Sequence, residues 1–400
     1  MTCEVAVMNK RGIALAADSA VTVRDGDGAR KKIYYTAEKL FSLSPDLPVA
    51  IMTYGPADIM GVPWETVVKV YAQKLDGRRF DTLAGYARDF LAFIEGATWL
   101  FSPEIQTQWV RSLAHSVWDG LYKDKLDEAL ADLSRPTPRQ ALARLAAIIE
   151  EDQEDWAGYP DLGCVAPDYG RHVQESYAEV LDEVAELVFE GLPLTADIKA
   201  ALRHTAGLTY QKDWFHPRDR SRIVIAGMGE AEPFPVLLEY DVGTLAAGTL
   251  RYKKTDETRV GGDVDASVAS FAQDDIIHSI IQGVHPRVYR EFVEAAARLD
   301  DPDGEEESEE IREREQRLAA LVRKEILRPY ADPLLSAVSA LPRQDLAKMA
   351  ESLVNLTAFL MRMTVDEDET VSEPVDVALL SKGDGFIWVK HKDVRALAHA

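Results

Sequence analysis

Residues 2–19 of this 400-residue chain read TCEVAVMNKRGIALAADS, and this stretch decides the fold prediction. Two runs of mainly apolar residues, CEVAVMN and GIALAADS, are separated by the polar residues Lys10 and Arg11. Short apolar runs on either side of a turn are typical of paired β-strands. We therefore predict a β-hairpin here, with Asp18 near the end of its second strand.

Similar strand-like runs recur along the chain and alternate with two long helical blocks. Apolar residues spaced three and four apart predict helices from Ala57 to about Arg220 and from Pro286 to Met363. This order of strands, helices, strands, helices and strands predicts an α+β fold. The further predicted strands are KLFSL (39–43), VAIMTYG (49–55), SRIVIAGMG (221–229), PFPVLLEYDV (233–242), GTLRYKK (248–254), TRVGG (258–262), PVDVALL (374–380) and FIWVKHK (386–392).

Some local patterns interrupt this alternation. The stretch DGDGARK (25–31) is typical of a turn, and Pro and Gly in residues 152–170 predict a surface loop. A helix is predicted from near Phe271 to Gln282. The Asp-Gly pair in SKGDG favours a tight turn between the last two strands.

The charge of the chain argues against nucleic-acid binding. Lys and Arg total 45 against 68 Asp and Glu, a formal net charge of −23, and such a field repels phosphate backbones. Part of this charge lies in residues 300–315, DDPDGEEESEEIRERE. We expect this tract to be a solvated surface, with a binding site for a basic partner as a weaker hypothesis.

The sequence also argues against membrane insertion, cofactors and metals. No apolar run reaches the length of a membrane span, and the N-terminal residues lack a secretory pattern, so we expect a cytoplasmic protein. Cys3 and Cys164 are too few for a disulfide framework or a cysteine zinc site. Gly227 and Gly229 precede a predicted strand, whereas a dinucleotide site requires a helix there. We therefore expect no cofactor and no metal.

Thr2 precedes Asp18 by sixteen residues, and Asp18 stands in the run GIALAADS. On these residues the sequence resembles the proteasome β-subunit family of N-terminal nucleophile hydrolases, in which a terminal threonine and its partner aspartate have the same spacing. Counting from Cys3 gives fifteen residues, so the register selects Thr2. In TAEKLFSL, Lys39 precedes a strand as the family's lysine does, with Lys31 or Lys32 as the alternative.

The same resemblance implies further site residues. Gly55, at the end of VAIMTYG, is similar in position to the glycine of the family's oxyanion hole. The stretch ETVSEPVDVALL resembles the family's acidic residue, serine and strand, which selects Glu369 and Ser372. The stretch SVASFAQDD resembles the serine before the family's third helix, which selects Ser267, with Ser270 as the second choice.

The chemistry can be argued from the residue types alone. A threonine hydroxyl needs an adjacent base to act as a nucleophile, and removal of Met1 would give Thr2 a free α-amine as that base. An α-amine has a pKa of about 7.7–8.0, which a nearby Lys39 ammonium would lower by like-charge repulsion. Asp18 would hold Lys39 and the terminus, and the N–H of Gly55 would stabilise the oxyanion.

The resemblance implies a four-layer αββα N-terminal nucleophile hydrolase sandwich, with two antiparallel sheets between layers of helices. We expect one elaborated domain over residues 1–400. Its parts would be a core of about 1–75, 220–285 and 340–392, and helical insertions of about 76–219 and 286–339.

The implied activity is amide hydrolysis through an ester on Thr2, with a peptide as the expected substrate. Thr53 would line the primary specificity pocket. An amidase or acylase acting on a non-peptide amide stays open, as does a non-catalytic assembly protein similar to the proteasome α-subunits. We expect a homo-oligomer, and the ring size and an ATPase partner are left open.

Overall fold

The described residues of this computed structural model form two five-stranded antiparallel sheets, two short hairpins and a series of helices. The structure describes residues 3–24, 31–34, 37–131, 136–217, 219–272, 275–299, 308–363 and 374–392. The strands are β1 (Cys3–Asn9), β2 (Gly12–Ala17), β3 (Val21–Arg24), β4 (Lys31–Tyr34), β5 (Leu40–Ser42), β6 (Val49–Tyr54), β7 (Asp58–Ile59), β8 (Val62–Pro63), β9 (Ser221–Gly227), β10 (Val236–Ala246), β11 (Thr249–Arg259), β12 (Ala266–Ala272), β13 (Asp376–Ser381) and β14 (Gly385–Lys390).

Helices fill the two long segments between the groups of strands. They are α1 (Trp64–Leu75), α2 (Leu83–Gly96), α3 (Pro103–Val117), α4 (Asp124–Leu130), α5 (Pro138–Ala157), α6 (Tyr169–Ser176), α7 (Ala178–Val188), α8 (Ala196–Gln211), α9 (Asp275–Gln282), α10 (Pro286–Ala297), α11 (Ser308–Val322), α12 (Arg328–Ala340) and α13 (Arg343–Met363). Two π-helical turns, Trp118–Lys123 and Arg323–Leu327, connect α3 to α4 and α11 to α12.

The predicted N-terminal hairpin is confirmed. Strands β1 and β2 pair antiparallel from Glu4 opposite Ala17 to Asn9 opposite Gly12. They lie inside the sheet with the order β12-β1-β2-β13-β14, which we call sheet I. The second predicted hairpin, β5 and β6, belongs to sheet II, with the order β11-β10-β9-β6-β5. The predicted C-terminal hairpin of β13 and β14 is also confirmed.

The two sheets pack against each other through one face of each. Met8 and Leu15 of sheet I share a fully buried apolar cluster with Met52 and Val224 of sheet II. Because neighbouring residues of a strand point to opposite faces, the remaining apolar residues point away from the other sheet. This explains why both faces of β1 and β2 are apolar.

The outer faces of the sheets are covered by helices. Val5 and Val7 of sheet I pack with Leu346 and Ala350 of α13. On sheet II, the outward residues pack with α1 and α2 through a cluster that contains Ile51, Ile223, Val67 and Phe90. A further apolar cluster joins α3, α5, α6, α7 and α8, with Leu145, Val173, Leu181 and Leu202 in its centre. These antiparallel sheets and helices confirm the α+β class.

Four local predictions differ at least in part from the structure. Residues 152–170 are not a loop throughout, because α5 extends to Ala157 and α6 begins at Tyr169. The buried Asp152 carboxylate accepts a hydrogen bond of 2.9 Å from Trp156 Nε1 and another from the Tyr122 hydroxyl, so this polar turn of α5 is packed against the protein. The segment predicted as a separate strand, TRVGG, begins inside β11.

The helix predicted from Phe271 begins later. Residues Ala266–Ala272 form β12, which pairs along the whole of β1, and the helix is Asp275–Gln282. A short run with mixed polar and apolar residues does not distinguish strand from helix by periodicity. Pairing with β1 selects the strand. The turn predicted over residues 25–31 ends inside a strand, because Lys31 is the first residue of β4. Residues 25–30 lie outside the described residues.

No helix within the described residues is both long and apolar enough to cross a membrane.

Replacing Gly227 tests the close contact between β9 and the segment before β6. Gly227 has φ +142°, and an added Cβ would lie 1.9 Å from the carbonyl oxygen of Pro48. We expect Gly227→Ala to lower the free energy of unfolding by about 3 kcal/mol, from backbone strain and overlap. Urea denaturation measures this change. The matched control is Gly96→Ala at the exposed end of α2, where a Cβ meets nothing within 4 Å. An equal loss in both variants would contradict the prediction.

Candidate active site

The carboxylate of Asp18 is the centre of a buried polar cluster at one end of sheet I. Asp18 is 1% exposed and lies directly after β2. Its Oδ1 accepts a hydrogen bond of 2.9 Å from the backbone N–H of Cys3, and its Oδ2 accepts one of 2.9 Å from the N–H of Ala20. The carbonyl of Cys3 accepts from the N–H of Asp18 at 3.1 Å. These bonds fix the carboxylate next to the first described residue of β1.

The ammonium of Lys39 lies against the same carboxylate oxygen. Lys39 Nζ donates to Asp18 Oδ1 at 2.6 Å and lies 3.6 Å from Glu4 Oε1. Lys39 is 5% exposed, and Glu4 is fully buried. A charge is tolerated at such depth when it is paired and hydrogen-bonded. The side-chain nitrogen of Lys39 therefore lies between the carboxyl groups of Asp18 and Glu4.

The predicted glycine, Gly55, directly follows β6 and lies near Lys39. The N–H of Thr53 donates to the carbonyl of Lys39 at 2.9 Å, and Gly55 follows two residues later. Gly55 is exposed and has φ +88°, a conformation that favours glycine. An added Cβ there would lie 3.6 Å from the carbonyl oxygen of Arg220. The turn thus leaves the backbone of residue 55 open to the surface.

A second buried lysine, Lys392, absent from the sequence predictions, contacts Ser19, the residue after Asp18. Lys392 Nζ donates to the hydroxyl of Ser19 at 2.7 Å and lies 2.9 Å from Asp376 Oδ2. The side chains of Lys392 and Asp376 are 3% and 1% exposed. Asp376 and Glu4 could have been found from the sequence, because each is a charged residue inside an apolar run that predicts a strand. For Lys392 the sequence offers no such signal, because its partners are distant in the chain.

The structure separates the predicted serines from this cluster to different extents. Ser267 lies opposite Met8, five residues along β1 from Cys3. Ser270 lies opposite Val5, nearer to the cluster, but Val5 packs on the outer face of sheet I. Both serines belong to β12 and neither precedes a helix directly.

Several predicted site residues lie outside what the structure describes. Thr2, Glu369 and Ser372 fall in the undescribed residues 1–2 and 364–373. Lys31 and Lys32, the alternatives to Lys39, belong to β4, which pairs with β3 in a separate two-stranded sheet. Of the predicted residues, the structure therefore brings together Asp18, Lys39, Thr53 and Gly55. No group of three His, Cys, Asp or Glu side chains suited to a metal ion occurs among the described residues.

The thiol of Cys3 is unreactive in this environment. Cys3 is fully buried, and its side chain belongs to the apolar cluster on the outer face of sheet I. Burial raises the pKa of the Cys3 thiol far above its ordinary value, and the carboxylates of Glu4 and Asp18 raise it further. Because the thiolate is the reactive form, Cys3 is a poor nucleophile.

No family model matches the sequence, and no curated protein matches it. Among solved structures, it is similar to the Anbu (Gly-1) mutant from Hyphomicrobium sp. strain MC1, with 10% identity, a TM-score of 0.28 and coverage of 100% of this chain and 92% of the other. It is also similar to Anbu (ancestral beta-subunit) from Yersinia bercovieri, with 10% identity, a TM-score of 0.26 and coverage of 99% and 90%.

The assignment to the proteasome β-subunit family is wrong on these findings. No family model matches, and the two solved structures named above, with 10% identity and TM-scores of 0.28 and 0.26, carry no family assignment. The motifs that suggested the family are short segments around Thr2, Lys39 and Gly55, and short segments recur on unrelated proteins. The interpretation of the site therefore depends on its own geometry.

Alkylation tests the environment of Cys3. At pH 8, iodoacetamide should leave Cys3 unmodified in the folded protein, because its raised pKa and burial remove both the thiolate and the access. Cys164, which is half-buried, should react faster than Cys3 but more slowly than a free thiol, because burial also raises its pKa. Peptide mapping by mass spectrometry with and without denaturant measures both rates. Rapid labelling of Cys3 in the folded protein would contradict this assignment.

Removing the charge of Lys39 tests the buried pair. We expect Lys39→Met to lower the free energy of unfolding by about 3–5 kcal/mol, because it leaves the Asp18 carboxylate buried without its cation. The double variant Lys39→Met/Asp18→Asn should recover part of this loss. The control is Lys69→Met, since Lys69 forms ion pairs at a half-exposed position. Equal stability of the single and double variants, measured by denaturation, would show that the pair is not the cause.

Proposed function

We propose that this chain is an amide hydrolase whose nucleophile is the hydroxyl of Thr2 after removal of Met1. One observation carries the proposal: Asp18 Oδ1 accepts from both the backbone N–H of Cys3 and the ammonium of Lys39. The peptide bond joins Thr2 to that nitrogen of Cys3. Thr2 itself lies outside the described residues, and its peptide bond to Cys3 is what links it to this carboxylate.

This arrangement supports an α-amine as the general base. A second cation near an amine disfavours its protonated form and so lowers its pKa. The buried Lys39 ammonium can supply this effect, and the Asp18 carboxylate compensates the charge of Lys39. In the proposed reaction the Thr2 hydroxyl gives its proton to the α-amine while its oxygen bonds to the amide carbon.

In the remaining steps, every proton and bond is accounted for by the substrate, water and Thr2. The C–N bond of the substrate breaks, and the leaving amine takes the proton from the α-amine. Water then attacks the ester on Thr2, which releases the acid and restores the hydroxyl. The exposed N–H at Gly55 would stabilise the oxyanion in both steps, since its positive φ leaves the backbone open to substrate.

We extend this proposal to the arrangement of the layers, the substrate and the association of the chain. We read the two packed sheets and their outer helices as a four-layer αββα sandwich, which the apolar clusters between the layers support.

We propose a peptide as the amide substrate and association between copies of the chain. Exposed apolar side chains on α10 and α13, including Phe292, Phe359 and Met363, support association. Sedimentation analysis tests it, and a monomer at all concentrations would refute it.

Intact mass measurement with a peptide epoxyketone tests the nucleophile and its base together. This reagent needs both a hydroxyl and a free α-amine to form its ring with the protein. We expect the purified, untagged protein to have lost Met1 and to gain one adduct that maps to Thr2. Met1 retained in the mature protein would refute the catalytic proposal and favour a non-catalytic assembly protein.

Matched variants make this test specific. Thr2→Ser should keep the adduct, because a serine supplies the same hydroxyl and amine, whereas Thr2→Ala should lose it. The double variant Lys39→Met/Asp18→Asn should keep its fold yet hydrolyse peptides at least about 100-fold more slowly than the wild type. Equal labelling of wild type and Thr2→Ala would place the nucleophile elsewhere.

A further inference from the structure

The buried ammonium of Lys392 contacts separate segments of the chain that surround Asp18. We propose that Lys392 is a positioning residue for the Thr2 site. It would hold the segments that carry Asp18 and Lys39 in a fixed position relative to each other. This role rests on the proposed function. Lys392 does not contact the reacting atoms in this proposal, and it acts through the backbone and side chains that it bonds.

The contacts of Lys392 satisfy its ammonium completely within the protein. Its Nζ donates to the hydroxyl of Ser19 at 2.7 Å and to the carbonyl of Ala37. The carboxylate of Asp376 lies 2.9 Å away and supplies the opposite charge. The backbone N–H of Lys392 also donates to Asp376 Oδ1 at 2.9 Å, so one carboxylate fixes both ends of this residue.

These acceptors are the immediate neighbours of the proposed site residues. Ser19 follows Asp18, and Ala37 lies two residues before Lys39. The N–H of Ala37 donates to the carbonyl of Ser19 at 3.1 Å, and the Ser19 hydroxyl donates to the carbonyl of Pro374 at 2.7 Å. Lys392 therefore joins the end of β2, the segment before β5 and the segment before β13 at one point.

The surroundings of Lys392 explain why a lysine is suited to this position. Three donors on one flexible ammonium can bond a hydroxyl, a carbonyl and a carboxylate that belong to different segments. His391 lies beside the same Asp376, with Nδ1 3.2 Å from Oδ1, and its ring stacks on Trp388 at 4.0 Å. The charged and titratable groups around the joined segments are Glu4, Asp18, Lys39, Asp376 and His391.

Loss of this ammonium should change the geometry of the candidate site more than it changes the stability of the fold. Without it, Ser19 and Ala37 lose their shared donor, and the segments that carry Asp18 and Lys39 are joined only by the Asp18–Lys39 pair and the bond from the Ala37 N–H to the Ser19 carbonyl. A displacement of about 1 Å in a catalytic arrangement costs on the order of 100-fold in rate. Removing a positive charge near the α-amine should also raise its pKa.

The experiment compares Lys392→Met and Lys392→Arg with Lys390→Met in the full chain. Lys390 is the matched control, because it lies two residues away and forms an exposed ion pair with Glu351 at 2.7 Å. Hydrogen exchange is followed at the amides of Ala20 and Ala37, which bond Asp18 Oδ2 and the Ser19 carbonyl. We expect exchange at both amides to accelerate by about tenfold or more in Lys392→Met and to stay unchanged in Lys390→Met.

Peptide hydrolysis supplies the second readout. We expect Lys392→Met to lower kcat by about 10–100-fold with KM changed by less than about threefold, since substrate contacts are kept. The acidic limb of its pH profile should move to higher pH, because the α-amine is protonated more readily. Lys392→Arg should recover part of the rate and the wild-type pH profile.

The outcomes separate this proposal from the proposed function. Wild-type exchange at Ala20 and Ala37 in Lys392→Met would overturn the positioning role, whatever the kinetics. Faster exchange with an unchanged kcat would overturn it as well. A wild-type protein without hydrolase activity would refute the proposed function and with it the catalytic part of this role, while exchange still reports whether Lys392 holds the segments. Where Lys392→Met does not fold, Ser19→Ala removes one acceptor and leaves the Lys392–Asp376 pair, and the same readouts apply.

Discussion

The ion pair between Asp18 and Lys39 is the interaction on which the arrangement of the candidate site depends. Asp18 follows β2 in sheet I, and Lys39 precedes β5 at the edge of sheet II. Their 2.6 Å contact therefore joins the two packed sheets at one end. Because an unpaired charge at this depth is strongly unfavourable, the pair restricts how the sheets can sit relative to each other there. The backbone N–H of Cys3, bonded to the same oxygen, fixes the start of β1 to this point.

The strand pairing explains why these groups meet. Asp18 is brought to the start of β1 because β1 and β2 form a tight hairpin, with Glu4 opposite Ala17. Lys39 is brought to the end of β6 by the β5–β6 hairpin, with Leu40 opposite Met52. Two local hairpins, each closed by a short connection, thus place four chain segments at one end of the sheets. The apolar cluster between the sheets then fixes the distance from one hairpin to the other.

Local sequence signals predict part of this fold and part of the candidate site. Both hairpins and most helices were predictable, because apolar spacing and turn residues are local signals. The start of α5 illustrates this, since Thr137 and Gln140 form a capping box with Pro138 in the first turn. The strand β12 was not predictable, because SVASFA becomes a strand only through its pairing with β1. Lys392 was missed for a related reason: Ser19 lies 373 residues away in the chain.

The number of buried charges at this end of the sheets is the strongest argument that the cluster serves chemistry. A buried ion pair contributes little net stability, and well-packed apolar residues of similar size often replace one without loss. Two lysine–aspartate pairs nevertheless lie here, Lys39 with Asp18 and Lys392 with Asp376, linked through Ser19. Elsewhere in β1 and β2 the side chains are uncharged, and most of them pack in the apolar clusters on the two faces of sheet I. Charges concentrated where β1 begins, and absent along the rest of that strand, are typical of sites that control an ionisable group, and they support the proposed function.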